Sequence, residues 1–178
     1  MKLYTSELGG KLTELKAGER IFLSGTIYTA RDAAHRRLVE LMNIGKELPF
    51  TLNGSVIYYA GPTPAQQGMA VGSCGPTTAY RMDAFSPTLL DAGLAAMIAK
   101  GPRNTAVVEA IVRNGACYFA ATGGAGALIA QCIKTAEVIA FEDLGTESIK
   151  RLTVENFPLI VAIDSKGNNL YSVKKSIK

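Results

Sequence analysis

The chain has 178 residues, of which 48% are hydrophobic and 19% charged, with a formal net charge of +4. A chain of this length suits one domain that buries about 70% of its unfolded surface, and its composition excludes low-complexity or collagen-like protein. No run of about 18 apolar residues is present, so a membrane span is not expected; without an apolar leader in MKLYTSELGGKL, the cytoplasm is the expected compartment.

After a polar, glycine-containing lead-in, residues 19–28 (ERIFLSGTIY) alternate as a strand. Residues 31–43 carry apolar side chains at Ala34, Leu38, Leu41 and Met42, the spacing of a helix. Residues 55–60 (SVIYYA) predict a short strand ending in the turn-prone Gly61-Pro62-Thr63-Pro64. A glycine-rich loop follows, then an apolar helix from about Pro87 to Ala99. Residues 103–114 predict an amphipathic helix stopped by Gly115. Residues 116–121 predict a buried strand, and Thr122-Gly123-Gly124-Ala125-Gly126 turns the chain into a helix near 127–134. Further strands are expected at 136–142, 158–164 and 168–173, the last two joined as a hairpin at Ser165-Lys166-Gly167. Strands and helices alternate in the middle and strands dominate the ends, so the class is mixed α/β.

Cys74, Cys117 and Cys132 form no Cys-x-x-Cys pair, so the chain carries no zinc or cluster motif of its own. The odd count without a signal segment implies reduced thiols, with Cys117 and Cys132 packing among apolar or small neighbours. Basic residues are scattered apart from Lys174, Lys175 and Lys178, with no stripe interleaved with aromatics. That pattern gives nucleic acid binding no support.

Three polar segments stand out against this scaffold. In Thr29-Ala30-Arg31-Asp32-Ala33-Ala34-His35-Arg36-Arg37, Thr29 or Asp32 is placed to cap a helix. Arg31 then sits at the positive end of that helix, where an anion relieves the repulsion; a solvated surface arginine is the plainer alternative. His35, the only histidine, suits a surface or capping position. In Gly75-Pro76-Thr77-Thr78-Ala79-Tyr80-Arg81-Met82-Asp83 the threonines stand at an expected helix start, where free N–H groups bind anions. Thr77 and Arg81, four apart, would share one helix face as a hydroxyl beside a bidentate guanidinium, or simply belong to a capped helix with a surface arginine. In Met97-Ile98-Ala99-Lys100-Gly101-Pro102-Arg103-Asn104, Lys100 is either a helix-terminating residue or a second cation for an acid. The 122–126 run lacks the phosphate-loop ending and the dinucleotide spacing, and reads as a tight turn.

These residues, in this order, resemble the C-terminal catalytic domain of iron–sulfur (class I) fumarate hydratases and the β subunit of tartrate dehydratase. Tyr59-Ala60-Gly61-Pro62, Ile98-Ala99-Lys100-Gly101, Thr122-Gly123-Gly124-Ala125 and Glu142-Asp143-Leu144-Gly145 continue the match, which runs from about residue 5 to 173. The resemblance implies a swivelling β/β/α domain, a mixed sheet with flanking helices, over residues 1–178. It implies a hydro-lyase β subunit for the reversible hydration of fumarate to (S)-malate, inactive without its partner. Arg31, Arg81 and Lys100 then look like the cations that hold the substrate carboxylates, and Thr77 like the catalytic base. A [4Fe–4S] cluster would be held by the larger α subunit of a heterodimer or heterotetramer, not by this chain. Tyr80 and Cys74 depart from the family pattern, where a smaller residue and an aromatic are common.

Three other functions compete. L-Tartrate dehydratase shares the site logic and differs by one substrate hydroxyl. A non-catalytic anion-binding or regulatory module would never meet a cluster subunit. A nucleotide-binding domain would bind a dinucleotide with no partner at all.

Overall fold

The computed structural model describes residues 1–65 and 67–172. Seven strands form one mixed sheet: β1 (Lys2–Tyr4), β2 (Arg20–Thr29), β3 (Val56–Tyr58), β4 (Ala96–Ala99), β5 (Cys117–Ala120), β6 (Ile133–Ala140) and β7 (Ile149–Ile163). Their order is β1-β2-β3-β4-β5-β7-β6, and β2 also pairs with β7. The strands β2, β3, β4 and β5 run parallel, while β7 is antiparallel to β5 and β2 and joins the two ends of that row into a closed ring. Among the described residues five α-helices accompany it: α1 (Leu8–Lys11), α2 (Asp32–Asn43), α3 (Ser86–Asp91), α4 (Thr105–Asn114) and α5 (Gly126–Cys132). The mixed sheet with flanking helices is the expected class.

The pleat sorts the apolar residues into two cores. Val56, Tyr58, Ala96, Ile98, Cys117 and Phe119 face one core, together with Leu152, Val154 and Phe157 of β7 and the N-terminal Leu3, Leu8, Leu12 and Leu15. The intervening Ile57, Tyr59, Met97, Ala99 and Tyr118 face the other, beneath Ala34 and Leu38 of α2, Leu89 and Leu90 of α3, and Val107, Ala110 and Ile111 of α4. Because both faces of β3 to β5 are covered, these strands read as unbroken apolar runs with no alternation.

That property explains the main correction to the sequence reading. The expected apolar helix from Pro87 to Ala99 is a six-residue helix, α3, followed by the strand β4. Gly93, at φ +100, takes a conformation that the side-chain-bearing residues around it rarely adopt, and separates the two. A doubly buried strand and a buried helix look alike in hydropathy, so length and periodicity do not part them.

Other differences are smaller. The strand expected at 136–142 is β6, shifted towards the N-terminus and ended by Phe141 in the left-handed region (φ 55). β7 begins at Ile149, nine residues before the expected start, because Pro158 sits inside the strand opposite Phe22. The hairpin partner expected at 168–173 is reduced to a single bridge between Ile163 and Asn169. Residue 173 lies outside the described residues. The Asp164 carboxylate builds that turn, accepting from the N–H groups of Lys166 and Asn168 and, across the fold, of Ala17. β1 and α1, in the polar lead-in, were not foreseen. Helix α4 behaves as expected: Asn104 accepts from the Val107 N–H at 3.0 Å, and Gly115 at φ +62 closes it.

Candidate anion site at the strand ends

The parallel strands β2, β3, β4 and β5 all end at one edge of the sheet, where open α/β sheets gather their ligand-binding loops. The segments leaving those ends are Ala30-Arg31, Tyr59 to Pro62, Lys100-Gly101 and Thr122 to Ala125. Four stretches far apart in sequence become neighbours for that reason.

Arg31 follows β2 as the residue before the first turn of α2, and no side chain caps the helix there. The expected caps have other partners. The Thr29 hydroxyl donates to the Ser148 carbonyl and accepts from the Lys150 N–H. Asp32 receives Arg81. The Arg31 side chain lies over Gly61: a methyl group added to that glycine would come within 3.3 Å of Nη1 and 3.2 Å of the Thr146 carbonyl. Arg31 Nη2 stands 3.0 Å from Glu147 Oε1, while its Nε is buried without any partner. A buried N–H left unpaired costs about 1–3 kcal/mol.

Among the described residues, three buried side-chain atoms lack a hydrogen-bond partner, and all belong to one helical turn: Arg31 Nε, Asp32 Oδ2 and His35 Nε2. His35 is fully buried, not on the surface as expected. Its Nδ1 lies 2.9 Å from the Arg31 carbonyl and its ring meets Tyr59 edge-on at 4.8 Å. Since a carbonyl only accepts, Nδ1 carries the proton. Burial above all pushes the imidazole pKa down to about 4, so His35 is neutral at pH 7 and serves as a spacer under Arg31.

Thr77 and Arg81 do not share a helix face. Thr77 is extended: its N–H donates to the Tyr59 carbonyl at 2.7 Å and its carbonyl accepts from the Lys100 N–H at 3.2 Å. Only Ala79–Met82 forms a helix, a single 3₁₀ turn that leaves Tyr80 and Arg81 exposed. The sequence missed this because a short strand bridge between Thr78 and Lys100 carries no hydrophobic pattern. The consequence is a backbone bond between Thr77 and Lys100 that spacing did not suggest. Lys100 projects from the end of β4 and runs along Gly123, where an added methyl would meet its Cδ at 3.4 Å and its Nζ at 3.7 Å. Arg81 returns to the first group through its Nε, 3.0 Å from Asp32 Oδ1. Arg31, Thr77, Arg81 and Lys100 therefore all belong to this edge, Thr77 joined directly to Lys100 and Arg81 joined to the Arg31 segment through Asp32.

Two supports were not anticipated. Arg103, with its side chain fully buried, donates to Asp83 Oδ1 at 2.6 Å, while Asp83 Oδ2 accepts from the Asn104 N–H. The pair ties the segment bearing Thr77 and Arg81 to the one bearing Lys100. On the other flank, Lys150 Nζ donates to the carbonyls of Gly145 and Thr146 and to Ser148 Oγ, which holds Glu147 against Arg31. In both segments the charges were visible in the sequence, but their partners were not.

The edge is open. Lys100 and Arg81 are exposed, and the neighbouring cavity of about 370 Å³ is lined by Pro62, Val71, Val138, Thr146 and Lys150, among others, and by none of the four candidate residues. Among the described residues no three His, Cys, Asp or Glu side chains converge as a metal site. All three cysteines are free thiols; burial pushes those of Cys74 and Cys117 up to about 12, while Cys132 is only half-buried. No helix is long and apolar enough to cross a membrane among the described residues.

Comparison with known proteins matches residues 1–174 to the family model described as Fumarase C-terminus. The chain is 41% identical over 167 residues to "Fumarate hydratase class I, anaerobic" of Escherichia coli K12, covering 93% of this chain and 30% of that protein. It is 40% identical over 164 residues to "Fumarate hydratase 2" of Leishmania major, covering 91% of this chain and 29% of that protein. With the "Putative L(+)-tartrate dehydratase subunit beta" of Methanocaldococcus jannaschii it shares 38% identity over 164 residues, covering 89% of this chain and 84% of that one. The chain thus spans about three tenths of the length of the fumarate hydratases it matches.

Proposed function

The chain belongs to the Fumarase C-terminus family, and from that premise we propose that it is the β subunit of a hydro-lyase that interconverts fumarate and (S)-malate. The observation that carries the reading is the gathering of Arg31, Arg81, Lys100 and Thr77 on one open strand edge, with Arg31 Nε unpartnered. A half-buried guanidinium with an unused donor, beside a second arginine whose outer nitrogens are clear of Asp32, suits a small dicarboxylate. Arg31 and Arg81 would take the two forks of the acid, and Lys100 the negative charge that spreads into a carboxylate when the neighbouring carbon loses its proton.

Thr77 is the proposed proton acceptor. An aliphatic hydroxyl is a weak base unless a cation favours its alkoxide. Arg81 was the expected neighbour for that task, and Lys100, whose backbone N–H bonds to the Thr77 carbonyl, is a second cation on the adjoining segment. Water must be kept from such a charge, and the edge is open on this chain alone. A covering partner suits that chemistry: a larger α subunit that would bring a [4Fe–4S] cluster, since among the described residues no cysteines converge on one site.

A second substrate has nearly equal support. The chain is 38% identical to the putative L(+)-tartrate dehydratase β subunit and 41% identical to the class I fumarate hydratase. L-Tartrate is therefore the runner-up. Anaerobic co-production with the cluster-bearing large subunit, followed by fumarate, malate and tartrate assays, separates the cases. Fumarate turnover that needs both chains supports the reading, and tartrate turnover in its place moves the answer to the runner-up. No complex and no turnover overturn both.

A further inference from the structure

We infer that Asp32 is a positioning residue for Arg81, tying the two arginines of the anion site into one rigid unit. This rests on the proposed dicarboxylate site. Asp32 follows Arg31 directly in the chain and occupies the first turn of α2, while Arg81 lies on the separate 3₁₀ turn Ala79–Met82. The contact between Arg81 Nε and Asp32 Oδ1, at 3.0 Å, bridges them. A guanidinium held by its Nε keeps both terminal nitrogens pointing away from the tether, which is the fork that grips a carboxylate through two parallel bonds.

Arg81 needs such a tether. Its side chain is 41% exposed, and a free arginine of that kind samples many rotamers that must be frozen when a ligand binds. Asp32 Oδ2 is buried with no partner, so no other donor among the described residues competes at that oxygen. The carboxylate does not cap α2 either. Its one observed bond is to Arg81, which is an unusual use of a half-buried aspartate if its purpose were stability alone.

The test is a double-mutant cycle on the assembled enzyme, reading KM, kcat and the binding of succinate, a dicarboxylate that cannot be hydrated, by calorimetry. Asp32→Ala is expected to weaken succinate binding and raise KM roughly 10- to 100-fold, with kcat changed by no more than about threefold. Asp32→Asn, whose amide oxygen still accepts from Nε, is expected to fall between. Arg81→Lys keeps the charge but not the fork, and in that background Asp32→Ala is expected to have almost no further effect. An equal loss in both backgrounds, or no loss in either, overturns the inference. So does failure of both Asp32 variants to assemble with the partner, since the residue is then architectural. If the unmutated assembly binds and turns over no dicarboxylate, the functional reading itself has failed; binding and turnover unaffected by Asp32→Ala leave that reading standing and remove only this inference.

Discussion

Two arginines in this molecule solve opposite problems. Arg103 is sealed in the core: its Nε and Nη2 donate to Asp83 and Ser86, Nη1 meets the Met97 sulfur at 3.2 Å, and its Cζ lies over the rings of Tyr59 and Tyr118 at 5.4 and 5.2 Å. Every side of that guanidinium has a partner. Arg31, on the sheet edge, has one ion pair among the described residues and a buried Nε with nothing to bond. A buried charge with every donor satisfied belongs to the scaffold; one with a donor left over is what the proposed anion site would use. The contrast separates scaffold from site within a few residues of the same loops.

The contrast breaks most visibly by truncation. Arg103→Ala strands the Asp83 carboxylate in the core and is expected to cost about 3–5 kcal/mol in chemical denaturation. Arg31→Met, which removes a poorly bonded charge, is expected to leave stability within about 1 kcal/mol while lowering kcat/KM of the assembly 10²-fold or more. Equal losses of stability for the two would erase the distinction.

The spacer beneath Arg31 gives the next largest effect, through pH. His35 is depressed from 6.5 to about 4 by burial, so between those values the unfolded chain takes up a proton that the folded chain refuses. Its contribution to stability is therefore intact above about pH 7 and falls as the pH drops from 6.5 towards 4, by about 3 kcal/mol in all, then levels off. Unfolding midpoints across that range should show the slope, and His35→Phe should remove this residue's share of it.

Thr77→Ala sharpens the chemistry. A proton acceptor is expected to cost 10²-fold or more in kcat with KM little changed, whereas a mere hydrogen-bond donor to substrate would raise KM instead. Gly123→Ala comes last. Its methyl would press on the Lys100 stem at 3.4 Å, an ordinary contact, so a KM rise of only a few-fold is expected and an unchanged fold. A larger drop in kcat than in substrate affinity would mean that Lys100 does more than hold a carboxylate.

The pattern of legibility follows from which forces are local. Helices α2 and α4 were readable because an amphipathic stripe, a cap at Asn104 and a stop at Gly115 are written in consecutive residues. Strand β2 was readable from its alternation, and β3 and β5 as short apolar runs bounded by turn residues. Strand β4 was not, because its apolar run follows closely on that of α3 and burial on both faces leaves no alternation to part the two. His35 looked like a surface residue until Tyr59 and Phe85 were seen against its ring.

By itself the sequence determined the mixed α/β class, the family to which the chain belongs and the identity of the residues proposed for the site, because residue types and their order are local facts. Only the tertiary structure decided their company. It joined the Thr77 backbone to that of Lys100, set Asp32 against Arg81 and Glu147 beside Arg31, and packed Arg103 on the rings of two tyrosines. The physical reason is that a charge acquires its role from the groups within a few ångströms, and in a sheet of parallel strands those groups come from crossovers tens of residues apart.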